Sequence, residues 1–288
     1  MKFLVTGANG HLGRKVVSAL LKKVSAENIV VSVRHPEKAG QLKALGLEVR
    51  QGDFQNPASL DQAFSGIDRL LIISTSGDYA DEERIRQHKS AVAAAKRAGV
   101  HFIAYTSAAN AEESTLSLAP VHRATEEVIK QTGISYSFLR NNWYIENELS
   151  TIQGILSGAP LVTSAKNGKV GWATRADYAQ AAAVVLAGPG HENTIYELSG
   201  TPRTYEDLAG IIEEVIHREV PVQKVDDAGY TTLMKNAGVP EALLPMLVSI
   251  QRDIREGTLD IESNDFQKLL GRPVTPLSDY IRRVIDEK

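Results

Sequence analysis

An α/β fold, a doubly wound parallel sheet with a smaller, mostly helical C-terminal part, is predicted by three features of the sequence. Short β-branched runs alternate with amphipathic helical stretches through the first half. Those runs lack polar alternation, which marks strands covered on both faces. The βαβ spacing repeats, and such units cross over right-handed into a parallel sheet.

The elements follow in order. Lys2 to Thr6 (KFLVT) reads as a strand, then a glycine-rich turn and a helix near His11 to Lys22. Ile29 to Arg34 is a second strand, followed by a helix opened by Pro36 and ended by Gly46. Leu47 to Gln51 is a third strand, Pro57 to Phe64 a short helix, and Leu70 to Ser74 a fourth strand. A long helix ends in Ala91 to Gly99, its alanines suited to close packing on a sheet. Val100 to Thr106 is a fifth strand, Val121 to Gln131 a helix stopped by Gly133, and Ser135 to Leu139 a sixth strand. After Asn141 the rhythm loosens. Helices are expected at Tyr144 to Ser157, Arg175 to Leu186, Tyr205 to Ile216 and beyond Asp226, with strands at Thr194 to Leu198 and Val220 to Val225. There is no Pro/Ser linker and no internal repeat. The expected division is a nucleotide-binding core over 1–140 and a substrate-side subdomain over 141–288, with segments returning to the core.

Composition narrows the function. The 288 residues allow one large domain or two small ones. Lys plus Arg is 32 and Asp plus Glu is 35, a net charge of −3, without the basic footprint of a nucleic-acid binder. Cysteine is absent, which removes disulfides, thiolate nucleophiles and Cys-ligated metal. The seven histidines (11, 35, 88, 101, 122, 191 and 217) hold no i, i+3 or i, i+4 pair, so no local zinc motif appears. No apolar run is long enough to span a bilayer and none reads as an export signal. A cytoplasmic protein without metal is the expectation.

The first turn reads Thr6-Gly7-Ala8-Asn9-Gly10-His11-Leu12-Gly13. Gly7 permits the tight turn, Gly10 the approach of backbone to a pyrophosphate, and Gly13 close helix–sheet packing. Together with the helix dipole, these make a phosphate site at the first helix and specify a Rossmann-type, dinucleotide-binding sheet. An NAD enzyme would carry an acid about 20 residues on, at the end of the second strand. That end here reads Val31-Ser32-Val33-Arg34-His35-Pro36. Arg34 suits a 2′-phosphate, so NADP(H) is expected over NAD(H), by roughly 10- to 150-fold for a charge-assisted contact; an ordinary surface arginine is the alternative. Asp53, after the third strand, either accepts from the adenine amino group or caps the helix after Pro57.

A Tyr and Lys at i, i+4 often follow the fifth strand of such a fold, the Tyr as general acid. None of the nine tyrosines has Lys four residues on. His122 and Glu126 occupy such slots instead, and Ser107 remains as a hydroxyl donor. The candidate acid is His122 oriented by Glu126; an exposed helical pair of little consequence is the alternative. The missing pair weakens epimerase, dehydratase and secondary-alcohol dehydrogenase readings. It suits hydride transfer to a quinone, whose product is a stabilised aryl-oxide. Asn141 and Asn142 follow a strand directly and offer amides for a carboxamide or carbonyl, or simply form a turn. Trp143 and Tyr144 offer flat apolar surface for a planar ring, or core packing. Arg175 and Asp177 form a site group or a helix N-terminal ion pair.

These strings recur in a known order: the glycine turn, Arg34, Leu71-Ile72-Ile73-Ser74-Thr75-Ser76, Phe102-Ile103-Ala104-Tyr105-Thr106-Ser107, Leu139-Arg140-Asn141-x-Trp143-Tyr144-x-Glu146-Asn147 and Ala173-Thr174-Arg175-Ala176-Asp177-Tyr178-Ala179. Over nearly the whole chain they resemble the NmrA-like atypical short-chain dehydrogenase/reductases, and within them the bacterial type 2 NAD(P)H:quinone oxidoreductases. The resemblance implies that residues 7 to 12 and Arg34 hold the cofactor, with Ser74, Thr75 and Ser76 near the nicotinamide ribose. It places Asn141, Asn142, Trp143, Tyr144, Ile145 and Glu146 beside the nicotinamide and the acceptor, with Asn142 a further catalytic candidate, and Arg175 at the cofactor site. It also implies a homo-oligomer, a dimer in the first instance. The sequence departs from the pattern after Ser76, where Gly77 to Glu83 is longer and more acidic. A dinucleotide-sensing regulator without turnover, and a reductase of another conjugated carbonyl such as an enone, are the competing functions.

Overall fold

The computed structural model describes residues 1–75 and 80–287. Seven parallel strands form the main sheet: β1 Phe3–Thr6, β2 Ile29–Val33, β3 Glu48–Gln51, β4 Arg69–Ile72, β5 Phe102–Ala108, β6 Ser135–Asn141 and β8 Thr194–Leu198, in the order β3-β2-β1-β4-β5-β6-β8. A short parallel pair, β7 Leu161–Thr163 with β9 Val222–Lys224, stands apart. The order reverses between β1 and β4. Ligands of doubly wound sheets sit outside the strand ends at such a crevice.

Period-two alternation along the strands builds two cores. Phe3, Val5, Val31, Leu71, Ala104 and Leu139 face one side, with helices α1 (His11–Leu20) and α7 (Arg175–Ala187). Leu4, Val30, Leu70, Ile72, Ile103, Tyr105 and Phe138 face the other, under α3 (Pro57–Phe64), α4 (Asp81–Arg97) and α5 (Ala119–Gln131). The alanine face of α4 is fully buried at Ala91, Ala94 and Ala95, as the composition predicts. A third core joins α6 (Leu149–Leu156), α8 (Tyr205–Ile216), α10 (Leu244–Arg255) and α12 (Leu277–Asp286) beyond the sheet. The rest of the C-terminal half returns: β8 pairs with β6, and Phe266 of α11 (Asp265–Leu270) packs with α7. Between α8 and α10 lies α9 (Asp227–Asn236), and in the first half the short α2 is Gly40–Ala44.

Three expectations are corrected. The helix from Pro36 to Gly46 is a 3-10 turn, Pro36–Lys38, and the short α2. That from Tyr144 to Ser157 is likewise a 3-10 turn, Ile145–Glu148, and α6. The fourth strand ends at Ile72 rather than Ser74, because the next backbone N–H groups leave the ladder for side-chain acceptors.

Helix α1 approaches the first turn closely at Gly13. A Cβ there would lie 2.3 Å from the Gly7 carbonyl oxygen and 2.8 Å from the Ala8 Cα. Gly13→Ala is therefore expected to destabilise the fold by about 1–3 kcal/mol, as overpacking does. Gly40→Ala, with nothing within 4 Å of its new Cβ, is expected to leave stability unchanged or raise it slightly. Urea denaturation of the two variants measures the contrast; equal effects would show that the contact is not tight.

Candidate functional site

The first turn is built by glycine. Gly7 holds φ +59°, and its carbonyl accepts from the Gly10 N–H at 2.9 Å. Gly10 then caps α1 with no side-chain bond and no acid in the first helical turn. The helix N-terminus is thus left to receive an anion, as a pyrophosphate requires. Asn9 and Gly10 face the crevice, while Ala8 and Leu12 turn into the core and His11 is exposed.

From this turn a cavity of about 390 Å³ runs along the strand ends. It is lined by Gly7, Asn9, Gly10, Ser32, Val33, Arg34, His35, Lys38, Gly52, Asp53, Phe54, Ile73, Ser74, Thr75 and Gln87. Arg34 and Lys38 bring positive charge to one end, beside His35. Gly52 leaves room there: a Cβ would lie 2.1 Å from the Ser32 hydroxyl and force it to turn away. That hydroxyl is buried without a protein partner and so is left for a ligand. Asp53 does not cap the following helix. Asn56 does, accepting from Ser59 N, while Asp53 Oδ1 accepts from Gln55 N at 3.0 Å. The capping alternative for Asp53 is thereby removed.

The far end is a strand terminus held open. Three successive backbone N–H groups leave the sheet for side chains on three elements. Ile73 N–H donates to Thr6 Oγ1 at 2.9 Å, Ser74 N–H to Thr106 Oγ1 at 2.9 Å, and Thr75 N–H to His88 Nε2 at 3.0 Å. Arg84 Nη2 donates to the Thr75 carbonyl at 3.2 Å. Ser76 and the residues 77–79 of the acidic segment lie outside the described residues; Asp81, Glu82 and Glu83 of that segment form the first turn of α4.

Ser107 and His122 are not among the cavity's lining residues. The expected His122–Glu126 partnership is corrected. His122 is buried and its Nδ1 meets the Tyr105 hydroxyl at 2.9 Å. Glu126 serves other groups: Ser107 Oγ donates to it at 2.6 Å, and Arg140 pairs with both its oxygens at 3.0 and 2.7 Å. Arg140 also reaches Glu197 at 3.1 Å, so the buried charges of β6, α5 and β8 compensate one another. Burial, with Arg84 nearby, pushes both His122 and His88 down to about 3. His122 is thereby kept neutral and is a poor source of a proton at neutral pH.

Asn141 to Glu146 and Arg175 form one cluster at the end of β6. Asn141 Nδ2 donates to the Tyr144 hydroxyl at 3.0 Å. Asn142 spends its Nδ2 on Ser199 Oγ at 3.1 Å and the Leu259 carbonyl at 3.0 Å. The Oδ1 atoms of both asparagines are buried without a protein partner. Trp143 Nε1 donates to Glu148 at 3.2 Å, and Ile145 is buried with its N–H on the Ala173 carbonyl. The Glu146 carboxylate accepts the Arg175 backbone N–H at 3.0 Å, and the Arg175 guanidinium lies 5.0 Å over the Tyr144 ring. The alternative of an Arg175–Asp177 pair fails: the buried Asp177 binds Arg272 at 2.8 Å and Thr275 at 3.0 Å. Asn141 to Glu146 and Arg175 are thus brought together, but away from the lining of the 390 Å³ cavity.

Sequence reasoning missed Ser32, Val33, His35, Lys38, Gly52, Phe54, Ile73 and Gln87 as lining residues. His35 and Gly52 were legible beside Arg34 and Asp53; Gln87 carries no local signal. No cluster of His, Asp and Glu suited to a metal occurs among the described residues.

The two buried histidines set a pH dependence. Each is near 6.5 in the unfolded chain and near 3 in the fold. As pH falls below about 6.5 the unfolded chain takes up protons first, so the stability present above that pH is lost progressively toward pH 3. Urea midpoints between pH 7 and 5 should fall, and His122→Gln should reduce the slope by up to one proton. An unaltered slope would mean that His122 is protonated in the fold.

Comparison with known proteins places this geometry in context. Residues 7–189 match the family model described as NAD(P)H-binding. The chain is 39% identical, over 98% of both lengths, to quinone oxidoreductase 2 of Escherichia coli. The crystal structure of that organism's NADPH-dependent quinone oxidoreductase with NADPH superposes with a TM-score of 0.93 at 39% identity, covering 98% of this chain and 99% of that one. The Citrobacter sp. triphenylmethane reductase with NADP(H) superposes at 0.94 and 41% identity, covering 99% and 100%.

Proposed function

The chain belongs to the NAD(P)H-binding family, and on that premise we propose that it is an NADPH-dependent oxidoreductase transferring hydride to a quinone-type acceptor. The observation that carries the cofactor is one cavity joining an uncapped helix N-terminus to the Arg34, His35 and Lys38 cluster. A dinucleotide with a 2′-phosphate carries negative groups at its pyrophosphate and at its adenosine ribose, and the buried Ser32 hydroxyl and the Cβ-free wall at Gly52 fit its adenosine half.

NADPH, when bound, supplies the hydride. The protein's own groups hold and orient it. The N–H groups at the start of α1 take the pyrophosphate. Arg34 takes the 2′-phosphate, with Lys38 adding to the local field. Asp53 accepts from the adenine amino group. Ser74 and Thr75 close the nicotinamide end, and the Asn141 to Tyr144 cluster borders the acceptor. No cysteine exists to shuttle electrons, and His122 is engaged inside the fold. A quinone suits this arrangement because its reduced oxygen is a stabilised aryl-oxide that needs little acid assistance. The same proposal divides the chain into a cofactor core over 1–140 and a substrate-side part over 141–288. It also takes the protein to be cytoplasmic, the expectation from its apolar runs, and a homodimer, the expectation from the family resemblance.

Purified protein mixed with NADPH and a panel of quinones and enones tests the reading by loss of reduced-nicotinamide absorbance. Turnover with quinones is expected. Tight NADPH binding without turnover would mean a sensor, and turnover with enones alone the other reductase. Arg34→Ala is expected to cut the preference for NADPH over NADH by roughly 10- to 150-fold, measured as the ratio of the two KM values. An unchanged ratio would remove Arg34 from the 2′-phosphate.

A further inference from the structure

A backbone N–H that leaves a sheet must find another acceptor. At the end of β4 two of the three acceptors are threonine hydroxyls on the neighbouring strands β1 and β5. The third is a histidine from a helix on the far side of the strand end, and it belongs to a longer chain of bonds. Because Thr75 N–H donates to His88 Nε2, that nitrogen is the acceptor and the ring proton sits on Nδ1. Nδ1 then donates to Thr125 Oγ1 at 2.8 Å, and the Thr125 hydroxyl donates to the Val121 carbonyl at 2.8 Å. The Thr75 hydroxyl also lies 3.1 Å from Nε2. Every donor in this chain has one acceptor direction, so the tautomer is set from α5 and delivered to the cavity wall.

The surroundings keep the ring in that role. His88 is fully buried, with edge contacts to Phe54 at 6.4 Å and Tyr105 at 5.7 Å between centroids. Arg84, one turn earlier on α4, holds the Thr75 carbonyl, so one helix grips both backbone groups of a residue that lines the cavity. Gln87, between them, lines it too. Phe54 lines the cavity as well, and its ring meets His88 edge-on.

From this geometry we propose that His88 is a positioning residue for the nicotinamide half of the cofactor: as a neutral Nδ1–H tautomer it fixes the Ser74–Thr75 strand end against which that half lies. The role rests on the proposed NADPH reading and adds to it a residue outside the cavity lining. It makes no contact with substrate. Its hydrogen bond acts on the nicotinamide half, since the polar groups proposed for the adenosine end follow β2 and β3.

The experiment measures dissociation constants for NADPH and for 2′,5′-ADP, which carries only the adenosine half. Wild type, His88→Leu, His88→Gln and Thr125→Val are compared, with thermal melts to confirm folding. In His88→Leu the Thr75 N–H loses its acceptor, and NADPH binding is expected to weaken about tenfold while 2′,5′-ADP binding stays within about twofold. His88→Gln, whose side-chain oxygen can take the same N–H, is expected to restore NADPH binding to within about threefold. Thr125→Val, isosteric and remote from the cavity, frees the tautomer and is expected to weaken NADPH binding in the same direction by a smaller factor. It stands in for His88→Leu if that variant does not fold. Equal loss for both ligands, no loss of NADPH binding, or failure of glutamine to rescue would overturn the proposal. Wild-type protein that binds 2′,5′-ADP and NADPH equally well would show the nicotinamide half makes no use of the strand end, which also overturns it. Wild type that binds neither would instead sink the cofactor reading on which the role rests.

Discussion

The close approach of α1 to the first turn is the constraint on which the rest depends. Gly13 lets the helix sit directly over the Gly7 carbonyl, and that contact aims the helix N-terminus along the crevice. Were α1 displaced by the width of a methyl group, its free N–H groups would point past the cavity, and the cationic cluster at Arg34 would have no complementary anion site in line with it. The sheet order serves the same end: because it reverses between β1 and β4, the turn after β1 and the opened end of β4 face each other across one gap.

Two kinds of polar burial surround that gap, and they do different work. Arg140, Glu126 and Glu197 are charged groups whose desolvation is offset by pairing among themselves. They lock β6, α5 and β8 together and occupy the Ser107 hydroxyl. His88 and His122 are instead buried as neutral rings with hydrogen bonds. A neutral imidazole gives one donor and one acceptor, which makes it a directional connector rather than a source of field. The charged network therefore fixes elements, while the neutral rings fix orientation near the strand ends.

How much of this was legible in the sequence follows from how local each cause is. The glycine turn, the Arg34 end of the second strand and the sheet itself depend on spacing within a few residues, and they stand where the sequence puts them. The two-sided alternation of β1 and β4 was readable as apolar runs for the same reason. The partners of Glu126 were not readable, because Arg140 and Ser107 come from two different strands and meet only across the sheet. His88 is thirteen residues from Thr75 and carries no motif; only the packing of α4 on β4 brings them together. The strand β7 escaped as well, since three residues give no measurable period, although its partner β9 lies within the expected strand Val220 to Val225.

The absence of an acid–base pair acquires a physical meaning in this setting. A group that protonates a product has to change charge easily near neutral pH. The imidazole best placed in sequence for that task is buried and bound to Tyr105, and the Ser107 hydroxyl is committed to Glu126. A molecule built this way gains nothing in rate from substrates that demand a strong proton donor. It favours acceptors whose own π system spreads the incoming electron pair, and for these the main requirement is that donor and acceptor rings be held at fixed separation. On the proposed reading, rigidity at the strand end and at the Asn141 to Arg175 cluster is the catalytic contribution of the protein. That explains why the chain invests its buried polar groups in anchoring backbone and rings rather than in a titrating side chain at the site.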